Sequence, residues 1–171
     1  LMKNLILIRH AKSSWNFPLS DIDRPLSQRG INDAFLISSK INNFLPNKFV
    51  VWSSIAKRTQ ETCYIFAQNL LIPIENIIFR KDLYTFDYRE LYEKIRLCDN
   101  RFENIVLFGH NDAITNFVNK FGNQHIDNVP TSGVVQIEFN EDNWLNIKKG
   151  KVKNTLFPKL IRSKIKNESI H

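Results

Sequence analysis

Asn4-Leu5-Ile6-Leu7-Ile8-Arg9-His10 is a short apolar run that ends on two polar residues. Consecutive apolar side chains leave no polar face. The run therefore reads as a strand buried on both sides that delivers Arg9 and His10 at its C-terminal edge. A loop rich in Ser, Asp and Pro follows to about Leu26. From Ser27 to Leu45 the residues Ile31, Ala34, Phe35, Ile41, Phe44 and Leu45 fall at helical spacing, with Ser27 as cap and Pro46 as stop. Phe49 to Trp52 reads as a second strand, passing through Ser53-Ser54 into a helix from about Lys57 to Leu70. Ile77 to Phe79 is the third expected strand and Asp87 to about Leu97 the third helix. Asn104 to Phe108 is the fourth strand, running into Gly109-His110-Asn111-Asp112 and a helix to about Phe121. Val134 to Phe139 and Trp144 to Ile147, split by Asn140-Glu141-Asp142-Asn143, predict a terminal hairpin.

Strands alternating with helices imply an α/β fold, a three-layer α/β/α sandwich around a mostly parallel sheet, with a C-terminal antiparallel hairpin. Ligands on such sheets bind beyond the carboxyl ends of the strands. Three places qualify together: Arg9-His10, Ser53 to Arg58, and Gly109-His110. No linker or internal repeat interrupts the chain, so residues 1–160 are expected to form one domain, with 161–171 as a basic and flexible tail.

The chain has 171 residues, 43% apolar and 24% charged, a length that suits one domain able to bury a core without disulfide or metal staples. Its formal charge of +7 invites a nucleic-acid or membrane-surface reading. The excess is local. Lys148 to His171 carries eight Lys or Arg against one acid, Glu168, and the first 147 residues carry sixteen of each sign. The tail has Phe157 as its sole aromatic and no nucleic-acid motif, so a nucleic-acid partner is not expected. No run approaches the ~18 apolar residues of a membrane helix and no signal-peptide core is present, which predicts a cytoplasmic protein without a membrane partner. Cys63 and Cys98 stand 35 positions apart, outside any Cys-x-x-Cys pair, and read as buried free thiols. Glycine-rich nucleotide loops are absent. Leu1, ahead of Met2, is expected to carry no function.

Arg9, His10, Arg58 and His110 sit just past strand ends that one parallel sheet would bring to a single edge. Guanidinium forks match phosphate oxygens and stay charged, whereas imidazole can attack or donate a proton near neutrality. A lone His at a strand end is more often a hydrogen-bonded structural residue, and a lone Arg a solvated one. Four at three strand ends describe a phosphoryl-transfer pocket, in which fixed cations neutralise the equatorial oxygens. No acid or Cys lies at ligand spacing from either histidine, so neither a metal nor any other cofactor is expected.

Arg9-His10-Ala11-Lys12-Ser13-Ser14-Trp15-Asn16 resembles the opening motif, Arg-His-Gly-x-Ser-x-x-Asn, of the histidine phosphatase superfamily, which includes the phosphoglycerate mutases. Arg24-Pro25-Leu26-Ser27-x-x-Gly30, Ser53-x-x-Ala56-x-Arg58-Thr59-x-Glu61-Thr62 and Gly109-His110-Asn111 are similar to its later motifs, in the same order. The resemblance covers residues 4 to about 140 and is closest to the small branch of SixA-type protein-phosphohistidine phosphatases. It implies a phosphoglycerate mutase-like fold and a metal-independent phosphatase in which His10 forms a transient phosphohistidine. Arg9 and Arg58 would clamp the phosphoryl oxygens, and His110 would donate to the same group. Asn16 matches an asparagine that contacts phosphate in the mutase branch. Ser13 and Arg24 are further substrate-binding candidates, with loop anchoring and pairing to Asp21 or Asp23 as their structural alternatives. Ser53 reads as a turn residue supporting Arg58.

The proton donor has no residue in register. Asp82, on the loop after the third strand, and Asp112, two positions after His110, are the candidates, and Asp112 has helix N-capping as the favoured alternative. A missing acid favours a leaving group that needs little protonation, because proton donation to an alkoxide is worth typically ~10²–10⁴-fold. Phosphohistidine on a protein, or another phosphoramidate, fits better than a sugar phosphate. The partner is thus a phosphorylated protein or a small phosphorylated metabolite. Two other readings stay open: a small-molecule phosphomonoesterase of the same mechanism, and an anion- or nucleic-acid-binding module that uses the basic tail.

Overall fold

The computed structural model describes residues 2–170, so Leu1 and His171 lie outside the described residues. Eleven regular elements alternate along them. They are β1 (Lys3–Arg9), α1 (Gln28–Ser38), β2 (Val50–Ser54), α2 (Lys57–Leu70), β3 (Ile77–Arg80), α3 (Tyr88–Arg96), β4 (Asn104–Gly109), α4 (Ala113–Phe121), β5 (Val134–Phe139), β6 (Lys151–Leu156) and α5 (Pro158–Ile170). Short 3-10 turns stand between them, including Asp21–Asp23 and Lys81–Leu83.

The six strands form one sheet in the order β3-β2-β4-β1-β5-β6. The first four are mutually parallel, and β5 and β6 close one side with antiparallel pairings. Because side chains alternate across a strand, β1 divides itself between two cores. Leu5 and Leu7 join Ile95, Ile114 and Phe117 under α3 and α4, whereas Ile6 and Ile8 join Ala34, Ile37 and Phe66 under α1 and α2. Both faces are covered, which is why the strand reads as an unbroken apolar run. Arg9 pairs with Gly109 across the β1–β4 ladder and Ser53 with Phe108 across β2–β4, so three strand ends finish level. That register puts three site-bearing segments at one edge.

The loop after β1 is tied down by the start of α1. Ser27 accepts the N–H of Gly30 in its capping role, while its own N–H and hydroxyl both reach the Lys12 carbonyl, at 2.9 and 3.1 Å. Gly30 lies so close to Lys12 that an added Cβ would stand 2.1 Å from that carbonyl oxygen.

Three expectations are corrected. The first helix stops at Ser38 rather than Leu45, with a separate 3-10 turn at Ile41–Asn43. Ser38 and Ser39 turn their hydroxyls back onto the Phe35 and Leu36 carbonyls, a competition with the helical ladder that favours termination. Trp144 to Ile147 is no strand: Trp144–Asn146 is a 3-10 turn, fixed by the Asn143 side chain accepting from the Leu145 N–H and by Trp144 Nε1 donating to Phe102 O. The hairpin partner of β5 is Lys151–Leu156 instead. Ser53, read as a turn residue, is the fourth residue of β2 and fully buried.

Residues 161–170 continue α5, which runs from Pro158, and Arg162 forms an ion pair with Asp33 of α1. The boundary expected at residue 160 thus falls within a helix. Among the described residues no helix is long and apolar enough to cross a membrane.

Candidate active site

Beyond the level ends of β1, β2 and β4 lies an open cavity of about 410 Å³, lined among others by Arg9, His10, Ser13, Arg24 and Arg58. His10 follows β1, and its backbone is held by bonds from its own N–H to Gly109 O and from Ser132 N–H to its carbonyl. The ring is oriented by Nδ1–H donating to Ala11 O at 2.7 Å. This bond leaves Nε2 as the atom with the free lone pair. Arg58, from the first turn of α2, donates its Nε to that atom at 3.3 Å.

The remaining nitrogens of Arg58 are already occupied. One donates to the Asp21 carbonyl at 2.6 Å and the other to Asp21 Oδ2 at 3.0 Å. Arg24 binds the same carboxylate through Oδ1 and donates to Ser13 Oγ at 2.5 Å. Tyr84 adds its hydroxyl to Asp21 Oδ2 at 2.5 Å. One carboxylate therefore sits on the cations that a phosphoryl group would use. Burial acts to raise the Asp21 carboxyl, but the Tyr84 hydroxyl and the two guanidiniums outweigh it and hold it at about 2.

His110 lies behind Arg58, with its ring centroid 5.4 Å from that of His10. The rings of Tyr84 and Phe86 wall it in at 5.3 and 5.4 Å. Its Nε2 stands 2.7 Å from Ser54 Oγ, and its Nδ1 faces Arg58 at 3.4 Å. Both histidines are buried among cations, and both are neutral at ordinary pH. Burial lowers His10 to about 3 against the opposing pull of the Ala11 O bond, with Arg58, Arg9 and Arg24 adding to the lowering. Burial, His10 and Arg58 lower His110 to about 2.

Arg9 is anchored by donation to Val129 O at 2.9 Å, and its buried Nε has no partner. Burial lowers its pKa, with Asp112 acting the other way. Thr62 Oγ1 accepts from Ala11 N–H and donates to Arg58 O, so one hydroxyl of α2 ties the His10 loop to the Arg58 helix turn. Trp15 lies over the Arg24 guanidinium at 3.5 Å, and with Phe86 forms an aromatic rim that is 76% and 50% exposed respectively.

Arg9, His10 and Arg58 line the cavity, with Ser13 and Arg24 beside them, and His110 touches Arg58 from behind without reaching the lining. Asn16 stays exposed, outside the cavity lining, with its N–H on Ser14 Oγ. Asp82 faces solvent in a two-point pair with Arg80. Asp112 stands at the N-cap position of α4 without a capping bond, and the neighbouring Asn111 supplies it by accepting from Thr115 N–H and Oγ1. Neither aspartate lines the cavity, and Asp21 is the carboxylate that does. Asp21, Ser54, Thr59, Tyr84 and Phe86 were not singled out from sequence as site groups. Asp21 was visible there solely as a partner for Arg24.

An α/β sheet that gathers two neutral histidines and a set of arginines at its carboxyl edge defines a class of phosphate-handling sites. The family model of the histidine phosphatase superfamily (branch 1) matches residues 5–91, and the chain belongs to that superfamily. An uncharacterised chloroplastic protein of Arabidopsis thaliana is 43% identical over 65 residues, a segment that spans 36% of this chain and 29% of that protein's length. A structure named as phosphohistidine phosphatase SixA, from Nakamurella multipartitia, superposes with a TM-score of 0.79 at 18% identity, covering 92% of this chain and 96% of that one. The protein histidine phosphatase SixA complexed with tungstate gives 0.77 at 16% identity, covering 92% and 99%. A mycobacterial glucosyl-3-phosphoglycerate phosphatase gives 0.60 at 12%, covering 90% and 98%. At such identities the likeness concerns the fold, which is phosphoglycerate mutase-like.

Proposed function

We propose that this protein is a metal-independent phosphatase that works through a phosphohistidine at His10 Nε2, with protein phosphohistidine or another phosphoramidate as its substrate. The observation that carries the reading is the His10 ring itself, locked by Ala11 O so that its unprotonated nitrogen faces the cavity against Arg58.

The substrate phosphoryl group displaces Asp21 from Arg58 and takes the donors of Arg9, Arg58 and His110. Nε2 attacks phosphorus in line, forming the Nε2–P bond as the bond to the leaving nitrogen breaks. That nitrogen keeps the electron pair and takes a proton from water, and the hydroxide left behind is neutralised by a proton released from the phosphate in the second step. A second water then attacks phosphorus, the pair of the breaking P–Nε2 bond returns to His10, and of that water's two protons one stays on inorganic phosphate and the other passes to the hydroxide formed in the first step. Fixed cations stabilise the charge in both steps.

The preference for a phosphoramidate is supported by the acids. Asp82 and Asp112 do not line the cavity, and Asp21 is held ionised by its arginines, so none offers a proton to an alkoxide at neutral pH. The exposed Trp15 and Phe86 at an open mouth suit a substrate presented on a protein surface. Two buried free thiols, Cys63 raised to about 12 and Cys98 to about 11 by burial, fit a reducing cytoplasm as part of the proposal. The test is steady-state turnover of a phosphohistidine-bearing protein against small phosphomonoesters. A higher kcat/KM on the phosphohistidine is expected. A clear preference for the esters would replace this reading with a small-molecule phosphomonoesterase.

A further inference from the structure

His110 presents a difficulty for the function proposed above. It is the second histidine of the site and is expected to donate to the phosphoryl group, yet it stands behind Arg58, outside the cavity lining, and burial with His10 and Arg58 beside it keeps it from taking up a proton at neutral pH. A neutral imidazole carries one N–H, and it points that N–H to the Arg58 side through Nδ1 if Nε2 is the bare nitrogen.

The groups around the ring pull on the tautomers from two sides, Arg58 at Nδ1 and two buried hydroxyls at Nε2. Ser54, the last residue of β2, is fully buried, and its Oγ accepts from Ala56 N–H at 3.3 Å. Thr59, also fully buried, brings its Oγ1 to 3.4 Å from His110 Nε2. Each hydroxyl has one proton to place. Among the described residues, His110 Nε2 is the one acceptor within hydrogen-bond reach of either, with Ser54 at 2.7 Å. If Nε2 carried the ring proton, neither buried hydroxyl would have an acceptor for its own proton, whereas a bare Nε2, with its one lone pair, takes the proton of the nearer, Ser54. With Nε2 bare, Ser54 donates to it along a short bond. The ring proton then sits on Nδ1, facing the Arg58 nitrogen 3.4 Å away. Arg58 can only donate, so this tautomer gives up the long Arg58–Nδ1 bond of the other tautomer in exchange for an acceptor for the Ser54 proton, and a phosphoryl oxygen placed between the two donors would accept from both.

We propose that Ser54, aided by Thr59, is a positioning residue that fixes His110 in its Nδ1–H tautomer, so that a neutral imidazole donates to the phosphoryl group. The inference rests on the phosphatase reading for its consequence, but the tautomer itself is independent of turnover. The charged and titratable groups facing the ring are His10, Arg9, Arg58 and Asp21, with Tyr84 at its edge. Ser54 touches it on the side away from Arg58, through the other ring nitrogen.

The experiment is long-range nitrogen–proton NMR of the histidines in the full chain at neutral pH, free and with inorganic phosphate. Expected is a protonated Nδ1 and a bare Nε2 on His110 in both states. A protonated Nε2 in the wild-type protein overturns the proposal, whether or not the protein turns over any phosphate. Ser54→Ala is expected to give mixed tautomers at His110, unaltered His10 signals, and a kcat lowered by roughly 10- to 100-fold at similar KM, the range seen when an outer partner that fixes a ring is removed. Ser54→Thr, which keeps the hydroxyl, is expected to restore both readouts. An unshifted tautomer in a folded Ser54→Ala protein also overturns it. Absence of turnover on every phosphate substrate, with the Nδ1–H signature present, would count against the phosphatase reading alone.

Discussion

Arg58 Nε lies 3.3 Å from His10 Nε2, so the guanidinium that would hold a phosphoryl group is hydrogen-bonded to the atom that would attack it. His10 and Arg58 come from different strand ends, after β1 and after β2, and are joined through the parallel register of the sheet. In this state the lone pair is masked by a donor, and an arriving anion unmasks it by giving Arg58 a better acceptor.

Removing the nucleophile tests the chemistry directly. His10→Ala is expected to abolish both turnover and covalent labelling by phosphate from substrate, a loss on the order of 10³-fold or more, since the covalent route is removed altogether. Labelling that survives the change would mean that another side chain carries the phosphoryl group.

Asp21 occupies the anion position from within the protein, with Oδ2 3.0 Å from an Arg58 nitrogen. Asp21→Asn keeps the shape but removes the competing charge. Inorganic phosphate should then bind roughly 3- to 10-fold more tightly, about 0.7 to 1.4 kcal/mol on the affinity scale. Titration calorimetry measures this, and weaker binding would show that Asp21 orients the clamp more than it blocks it.

The two histidines make the fold acid-sensitive. In the folded protein His10 is lowered to about 3 and His110 to about 2, whereas in the unfolded chain each titrates near the ordinary 6.5. Below that ordinary value the unfolded chain binds more protons, so stability is fully present above it and is lost as pH falls toward the folded values. Each ring can contribute a slope of up to about 1.4 kcal/mol per pH unit. Urea midpoints measured from neutral to mildly acidic pH should fall, and His10→Gln should flatten the decline. A midpoint indifferent to acid would contradict the neutral-histidine site.

Gly30 links stability to the site loop. An added methyl would stand 2.1 Å from the Lys12 carbonyl, backbone that cannot swing aside as a flexible side chain would. Gly30→Ala should therefore cost roughly 1–3 kcal/mol as overpacking does. The thermal midpoint should fall together with kcat/KM, because the displaced loop also carries Ser13 and Trp15.

Much of the fold was legible because its signals are local and redundant. The apolar runs of β1 and β4 are buried on both faces, and α2 spans Lys57–Leu70 as its periodicity predicts. The misread hairpin shows where that logic fails. Trp144-Leu145-Asn146-Ile147 is the more apolar run, but its tryptophan is needed in the core against Phe102, and the true strand carries lysines on its exposed face. At the site, the residues fixed by strand ends were predictable from position. Asp21 was not, since its role depends on a loop folding back to meet Arg58, 37 positions away, and no spacing encodes that. Ser54 was hidden for a different reason: its importance lies in one proton given to a ring 56 positions distant.

The stacking of Trp15 on Arg24 also makes the protein its own spectroscopic sensor. Of the chain's three tryptophans, Trp52 is 6% exposed and Trp144 0%, whereas Trp15 is 76% exposed and in van der Waals range of a guanidinium that shares a carboxylate with Arg58. Red-edge fluorescence therefore belongs to one side chain at the mouth of the cavity. A change in that emission on adding tetrahedral anion would report the displacement of Asp21 in real time, without any label.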